Sequence, residues 1–297
     1  MKVAGLGIAC LDRIARTGPM DKNNSSSITE YTERLGGLTA NALLAAGRLG
    51  AEVSIITAVG DDETGLRILK LLEEEGIGTE RVAVLPGKDS YFSFITVAGD
   101  SGERFIYCRR DTVGPEEIKA DRTLIGSADV FLVDSHFMSA SLEAAGMARE
   151  LGVPVVGDFK LNPDNTEILK YTDYPIVSRD YALSLSCDGS IEAALRRMAS
   201  FNPGSVPVVT CGSEGCYYMR GNDLEHVPAF GVAVRDTAAA GDVFHGGFAA
   251  ALASGCSLRA SLVFASAVSA LKCAGFGGSA ASPGLEEVKL FLKKRNY

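Results

Sequence analysis

The chain has no tryptophan and only three histidines, and none of its seven cysteines stands in a Cys-x-x-Cys pair. Zinc sites need thiolate or imidazole ligands at short spacings, so this inventory argues against a zinc centre. The cysteines at 10, 108, 187, 211, 216, 256 and 273 are scattered and odd in number, as in a reducing, cytoplasmic protein. Cys211 and Cys216, which flank a glycine-rich turn, are the one pair close enough to weigh as a disulfide. No stretch approaches the ~18 apolar residues of a membrane span. The apolar run 3–11 carries two glycines and meets Asp12-Arg13 at once, so it reads as a buried first strand, not a secretory signal. Positive charge is also short, with 29 Lys and Arg against 37 Asp and Glu and a net charge of −8. That balance argues against nucleic-acid and anionic-membrane partners. No Walker A sequence occurs, which removes ordinary P-loop phosphate chemistry.

What is present is 297 residues, 46% of them apolar, ample for one large α/β core. Strand and helix patterns alternate: strands near 3–9, 53–58, 130–134, 153–158, 174–178 and 206–210, with helices near 40–49, 61–75, 141–151 and 191–201 between them. The C-terminal third reads as helices at 241–252, 258–273 and 285–294. Such a rhythm predicts a doubly wound, mostly parallel sheet covered on both faces. Residues 12–35 and 82–108, with the turn Gly99-Asp100-Ser101-Gly102, predict a small β-sheet lid within this single domain. Ligands of such sheets sit at the carboxyl ends of the strands, where Asp12, Asp134-Ser135-His136, Asp158 and Gly212 fall.

The most informative stretch is Asp236-Thr237-Ala238-Ala239-Ala240-Gly241-Asp242, followed by a helix-compatible run. Helix N-termini hold anions through first-turn N–H groups and the positive dipole end, and small side chains let a phosphate approach them. A carboxylate there is an electrostatic error unless Asp242 takes a proton from a hydroxyl that attacks the bound phosphoryl group. The plainer alternative is an Asp N-cap on a buried Ala/Gly-rich helix.

Other motifs are weaker alone. Gly5-Leu6-Gly7 imitates a dinucleotide fingerprint but lies inside the first strand, with Cys10 in place of the third glycine. Thr210-Cys211-Gly212-Ser213-Glu214-Gly215 is either a hairpin turn or a nucleotide cradle. Gly36-Gly37 opens a helix either for packing or to let a sugar lie on the backbone beside Asn41, an amide that both donates and accepts. Asp12 can accept two sugar hydroxyls or be a solvated loop carboxylate. Asp61 reads as the cap of the 61–75 helix. Arg109-Arg110 is a solvated edge or faces an anionic substrate group. His245 reads as a packing residue.

Together these elements resemble the ribokinase-like, phosphofructokinase-B type family of sugar kinases, in the expected order along essentially the whole chain. The resemblance rests on Gly36-Gly37-x-x-Ala40-Asn41, Gly60-Asp61-Asp62-x-x-Gly65, Thr210-x-Gly212-x-x-Gly215 and Asp236-Thr237-x-Ala239-Ala240-Gly241-Asp242. It implies a ribokinase-like three-layer fold with a β lid, and ATP-dependent phosphorylation of a primary hydroxyl of a monosaccharide, a ketose such as fructose being favoured. It implies Asp242 as the base and an anion hole at Ala239, Ala240 and Gly241, formed by the amides leading into Asp242. It implies ATP contacts at Thr210, Gly212, Ser213 and Gly215, and sugar contacts at Asp12, Gly36, Gly37 and Asn41, with Arg109 as a further substrate contact. Mg²⁺ would arrive with ATP, Asp236 and nearby carbonyls would hold K⁺ or another monovalent cation, and the exposed lid edges would be buried in a homodimer. The chain departs from the family where Ser178-Arg179-Asp180-Tyr181 replaces an Asn-x-x-Glu element, as in ketohexokinase-like members. It also departs where Ser135-His136 stands in place of an acidic sugar contact, which argues against ribose. Asp12-Arg13-Ile14 and Ala270-Leu271-Lys272-Cys273 are similar to the sulfofructose-kinase branch. A nucleoside or sulfosugar kinase, and a non-catalytic nucleotide or sugar sensor, are the alternatives.

Overall fold

The computed structural model describes residues 1–19, 25–98, 104–110, 112–114, 117–159 and 166–297. The strands of its large sheet are β1 (Lys2–Leu6), β4 (Glu52–Gly60), β5 (Ile77–Leu85), β8 (Val130–Asp134), β9 (Val155–Asp158), β10 (Tyr174–Ser178), β11 (Val208–Thr210), β12 (Cys216–Arg220) and β13 (Asp223–Val227). Their order is β13-β12-β11-β10-β9-β8-β1-β4-β5. Every pairing from β11 to β5 is parallel, and β12 and β13 add an antiparallel hairpin at one edge. The remaining strands, β2 (Cys10–Thr17), β3 (Ile28–Gly36), β6 (Phe92–Ala98) and β7 (Arg104–Arg109), form a separate sheet in the order β3-β2-β6-β7.

Helices cover both faces of the large sheet, as continuous apolar strands require. On one face lie α1 (Leu38–Arg48), α2 (Glu63–Glu74), α7 (Ala240–Ala253), α8 (Leu258–Ala274) and α9 (Leu285–Lys293). On the other lie α3 (Arg122–Ser127), α4 (Met138–Glu150), α5 (Arg179–Leu185) and α6 (Ile191–Ala199). The two cores alternate along the central strands. Val3, Val130 and Leu132 enter the first; Ala4, Leu6, Phe131 and Val133 enter the second. That is the period of two expected of a pleated strand, with apolar residues on both sides.

Most element positions match the sequence pattern, with three differences. Residues 82–85 belong to β5 and pair in parallel with β4 in the large sheet, not in the lid. The lid glycine turn at 99–102 lies outside the described residues. The α2 cap is Asp62, whose side chain accepts the Gly65 amide, whereas Asp61 instead accepts the Gly87 amide. Strand β13 and helix α3 carried no clear periodicity in their five and six residues. Cys211 and Cys216 are both free.

Candidate active site

Small residues let α7 sit deep in the structure. A Cβ on Gly246 would lie 2.1 Å from the Ala42 carbonyl oxygen of α1, and one on Gly247 would lie 3.2 Å from Ala265 Cα and Val268 Cβ of α8. Glycine is therefore required at 246, where α7 crosses α1, and this close crossing brings two motifs together. Asn41 Nδ2 donates to Asp242 Oδ2 at 2.7 Å across 201 residues of sequence. Asn41 is only 5% exposed, and its Oδ1 is buried without a protein partner. A carboxylate only accepts, so the amide nitrogen must face Asp242, and the amide oxygen is left to accept from a ligand hydroxyl.

The first turn of α7 is entered through a left-handed residue. Ala239 precedes it at φ 58°, ψ 14°, a left-handed conformation that costs an L-residue roughly 1–2 kcal/mol. The Ala240 amide donates to Thr237 O at 3.2 Å, so in this conformation it closes the turn instead of facing a ligand. Nothing lies within 4 Å of where a Cβ on Gly241 would stand, so the helix end is open there. A helix terminus with such an opening suits an anion.

His245 holds the same turn from below. Buried at 4% exposure, it sets Nδ1 2.7 Å from Gly241 O and Nε2 3.0 Å from Ile176 O of β10. Both neighbours are acceptors, so the ring satisfies both only as the doubly protonated imidazolium. Burial opposes that charge, but Asp158 Oδ2 at 3.5 Å and the two carbonyls outweigh it and raise the pKa above the usual histidine value. The packing reading of His245 is thus extended: it clamps α7 onto the end of β9 and the middle of β10.

Asp242 opens onto a cavity of about 1020 Å³ between lid and body. The lid side includes Asp12, Ser93 and Ile106; the body side includes Asn41, Ala239 and Asp242. The Asp12 carboxylate is pushed up in pKa by burial, against hydrogen bonds from Ser93 and Cys10. Gly36 is glycine because a Cβ would lie 2.5 Å from Asp12 Oδ2, and Gly37, at φ 102°, because one would lie 2.4 Å from Ile8 O. Both glycines therefore serve close packing beside the cavity, and Gly37 lines it.

Arg109 is not in the cavity wall: it pairs with Asp89 on the outside, because neighbouring residues of a strand point to opposite faces. Arg110 lines the cavity instead, together with Arg34. Asp134, next to Ser135 and His136 of that wall, is wholly buried and structural. Its Oδ2 accepts from Ile8 N, Thr39 N and Thr39 Oγ1, and its Oδ1 accepts from His136 N. A Cβ on Gly7 would fall 2.1 Å from that carboxylate, which is why a glycine pattern resembling a dinucleotide site runs across the end of β1.

The Thr210–Gly215 segment is a β11–β12 hairpin at the carboxyl end of the parallel strands. Gly215, at φ 96°, packs so closely that a Cβ would lie 2.0 Å from Val227 O, whereas Gly212, at φ 55°, is open to solvent. Thr210 Oγ1 donates to Val177 O, and Ser213 is exposed on the turn. The loop lies outside the cavity lining. Four strand steps separate β11 from β1, roughly 19 Å at about 4.8 Å per step, and the start of α7 lies between them, where His245 contacts β9 and β10. Asp180, in the segment replacing Asn-x-x-Glu, is exposed in the first turn of α5, and its neighbour Arg179 pairs with Glu214 of the hairpin. Among the described residues, no group of three or more His, Cys, Asp or Glu side chains could hold a metal.

Asp236 anchors the loop before α7. Its carboxylate accepts from the amides of Ala238, Gly277 and Gly278, and its main-chain oxygen accepts from Lys272 Nζ at 2.8 Å. The pKa of Asp236 is lowered: burial opposes the charge, but those amides and the Lys272 ammonium stabilise it by more. Lys272 was not predicted as part of the site; in sequence it stood out only within the 270–273 motif, as a charge in an otherwise apolar turn of α8.

The model of the pfkB family carbohydrate kinases matches residues 1–284. The ribokinase of Bacillus subtilis is 26% identical over 97% of this chain and 98% of its own length. A fructokinase of Arabidopsis thaliana (probable fructokinase-6, chloroplastic) is 29% identical over 87% of this chain and 74% of its own. A crystal structure of a candidate ribokinase from Agrobacterium tumefaciens superposes with a TM-score of 0.88 at 31% identity, covering 99% and 98% of the two chains. The Arabidopsis thaliana ribokinase complexed with ribose and ATP gives a TM-score of 0.85 at 20% identity, covering 98% of each.

Proposed function

The chain belongs to the pfkB family of carbohydrate kinases, and from that premise we propose which hydroxyl it phosphorylates and with which residues. A primary hydroxyl of a monosaccharide enters the cavity under the lid and meets Asp242. Asn41 Nδ2 fixes the Asp242 carboxylate at the cavity wall. The hydroxyl oxygen attacks the γ-phosphorus of MgATP, its proton passes to Asp242, and the bond to the β-phosphate oxygen breaks to release ADP. The opening beside Gly241 receives the transferring phosphoryl group, whose growing charge the helix end and its amides offset. Asp12, Gly37 and Asn41 Oδ1 hold the sugar, and Thr210, Gly212 and Ser213 border the nucleotide. The lid excludes water, which would otherwise compete as acceptor.

One observation carries this reading: the Asn41–Asp242 hydrogen bond, which joins the two motifs at the floor of one cavity. A ketose such as fructose is the favoured acceptor. Asp134 is fully engaged in the fold, so Ser135 and His136, not a carboxylate, stand at the cavity wall where a pentose site would use an acid. Arg34 and Arg110 at the cavity wall favour a second reading, a sugar bearing an anionic group such as a sulfonate. ADP release measured across ketoses, aldoses, nucleosides and a sulfonated ketose tests both readings. Asp242→Asn should lower turnover by roughly 10²-fold or more, the usual size of a general-base effect. Near-normal turnover in that variant refutes the role of Asp242, and no turnover with any acceptor favours a non-catalytic binding protein.

The lid also supplies an assembly surface. Ile28 and Tyr31 on β3 and Phe105, Ile106 and Tyr107 on β7 are all exposed. These are the two edge strands of the small sheet, and a homodimer would cover apolar edges of this kind. A strict monomer by size exclusion at micromolar concentration would contradict it. Among the described residues no helix is long and apolar enough to cross a membrane.

A further inference from the structure

Asp236 was expected to help hold a monovalent cation, but the groups around it do not leave a place for one. Lys272 is 0% exposed and sends Nζ to the Asp236 main-chain oxygen at 2.8 Å, with Asp236 Oδ2 3.6 Å away. The carboxylate oxygens already accept from Ala238 on one side and from Gly277 and Gly278 on the other. An alkali ion brought to that carbonyl would stand against a fixed ammonium of the same charge, and nearby like charges repel strongly in a buried site. The ammonium lies in the last turn of α8, where the negative end of the helix favours a cation.

The same end of α8 grips the loop before α7 at further points. Ser269 Oγ donates to Ala240 O at 2.9 Å, and Cys273 O accepts the amides of Arg235 and Asp236. The loop so held leads through strained Ala239 into the turn that carries Gly241 and Asp242. We propose that the Lys272 ammonium is a built-in monovalent cation that orders the 236–239 loop and aims the first turn of α7, so that the protein needs no K⁺. Lys272 is a positioning residue in this scheme: it touches Asp236, not the reacting atoms. The activity part rests on the kinase reading above; the ion-binding part does not.

The test starts with the unaltered protein, exchanged into buffer free of K⁺, Na⁺ and ammonium, with tetramethylammonium chloride keeping ionic strength constant. Titrating KCl to about 100 mM should change turnover by less than about twofold and Tm by less than about 1 °C, because an ion with no site adds no binding free energy. Saturable, K⁺-specific activation of about fivefold or more, or a K⁺-specific rise in Tm of several degrees, overturns the proposal. Lys272→Ala vacates the position and should lose about tenfold or more in turnover, then regain part of it with KCl or methylammonium but not tetramethylammonium. Full turnover in that variant without added cation, or a loss that neither cation relieves in a protein of native circular dichroism, also overturns it. If Lys272→Ala does not fold, the titration of the unaltered protein decides. If no acceptor is phosphorylated, the kinase reading has failed, and the Tm titration still reports on the ion site.

Discussion

Gly241→Ala should make the protein more stable and nearly inactive. Gly241 is the second residue of α7, in ordinary helical conformation, and nothing lies within 4 Å of the new methyl. Alanine loses less backbone entropy on folding, a gain of roughly 0.4–1 kcal/mol at a compatible position. At about 2–4 °C per kcal/mol for a chain of this size class, Tm should rise by about 1–4 °C. Helical Cα–Cβ bonds tilt toward the N-terminus, so the methyl projects into the opening assigned to the phosphoryl group. A displacement of about 1 Å at the reacting group costs on the order of 10²-fold, and kcat/KM should fall by at least that much. Gly246→Ala is the internal contrast. Its methyl would meet Ala42 O at 2.1 Å and Ala45 Cβ at 2.8 Å, so α1 and α7 must part. Overpacking of this kind costs about 1–3 kcal/mol and should lower Tm by at least about 2 °C. It should also weaken the Asn41–Asp242 contact and with it turnover. Differential scanning fluorimetry and coupled ADP-release kinetics on both variants read the outcome. A Gly241→Ala protein that melts lower, or that keeps kcat/KM within about threefold, refutes the placement of the phosphoryl group beside Gly241.

Three further outcomes follow from the buried ionisable groups. Burial raises the Asp12 pKa above the ordinary carboxylate value, so as pH is lowered Asp12 takes up a proton before an unperturbed carboxylate would, and the sugar KM should rise before kcat changes; an Asp12→Asn variant whose sugar KM has the same pH profile contradicts this. The His245 pKa is raised above its unfolded value near 6.5, so its stabilising contribution is complete below that pH and is lost as pH rises through the folded pKa. Tm measured from about pH 6 upward should fall more steeply for the unaltered protein than for His245→Gln, and equal slopes would show that His245 does not carry this charge. Asp134→Asn must turn an NH₂ group toward buried donors, either the Ile8 and Thr39 groups or the His136 amide. Each buried donor left unsatisfied costs about 1–3 kcal/mol, so Tm should fall by at least about 2 °C, and an unchanged Tm would mean that the carboxylate is dispensable.

The sequence by itself determined the layered α/β architecture and most of its elements, because strands apolar on both faces and helices closed by glycine leave few other ways to bury that surface. It also determined the open helix end at α7, because small residues ahead of a carboxylate form a local pattern whose backbone geometry is set within a few residues. Where local pattern was thin, the reading failed or was silent. Residues 82–85 are apolar whether they pair in the lid or in the large sheet, and only the register with β4 decides. Arg109 and Arg110 are alike in sequence, and strand alternation sends one outward and the other to the cavity. The glycines of β1, α1 and α7 are uninterpretable until the backbone or carboxylate that lies against each one is known. Only the tertiary structure placed Asn41 against Asp242, His245 against Asp158, and the Lys272 ammonium on Asp236 O. Those contacts join residues up to 201 positions apart, and their chemistry depends on which donor meets which acceptor among largely buried groups, information that no single stretch of chain contains.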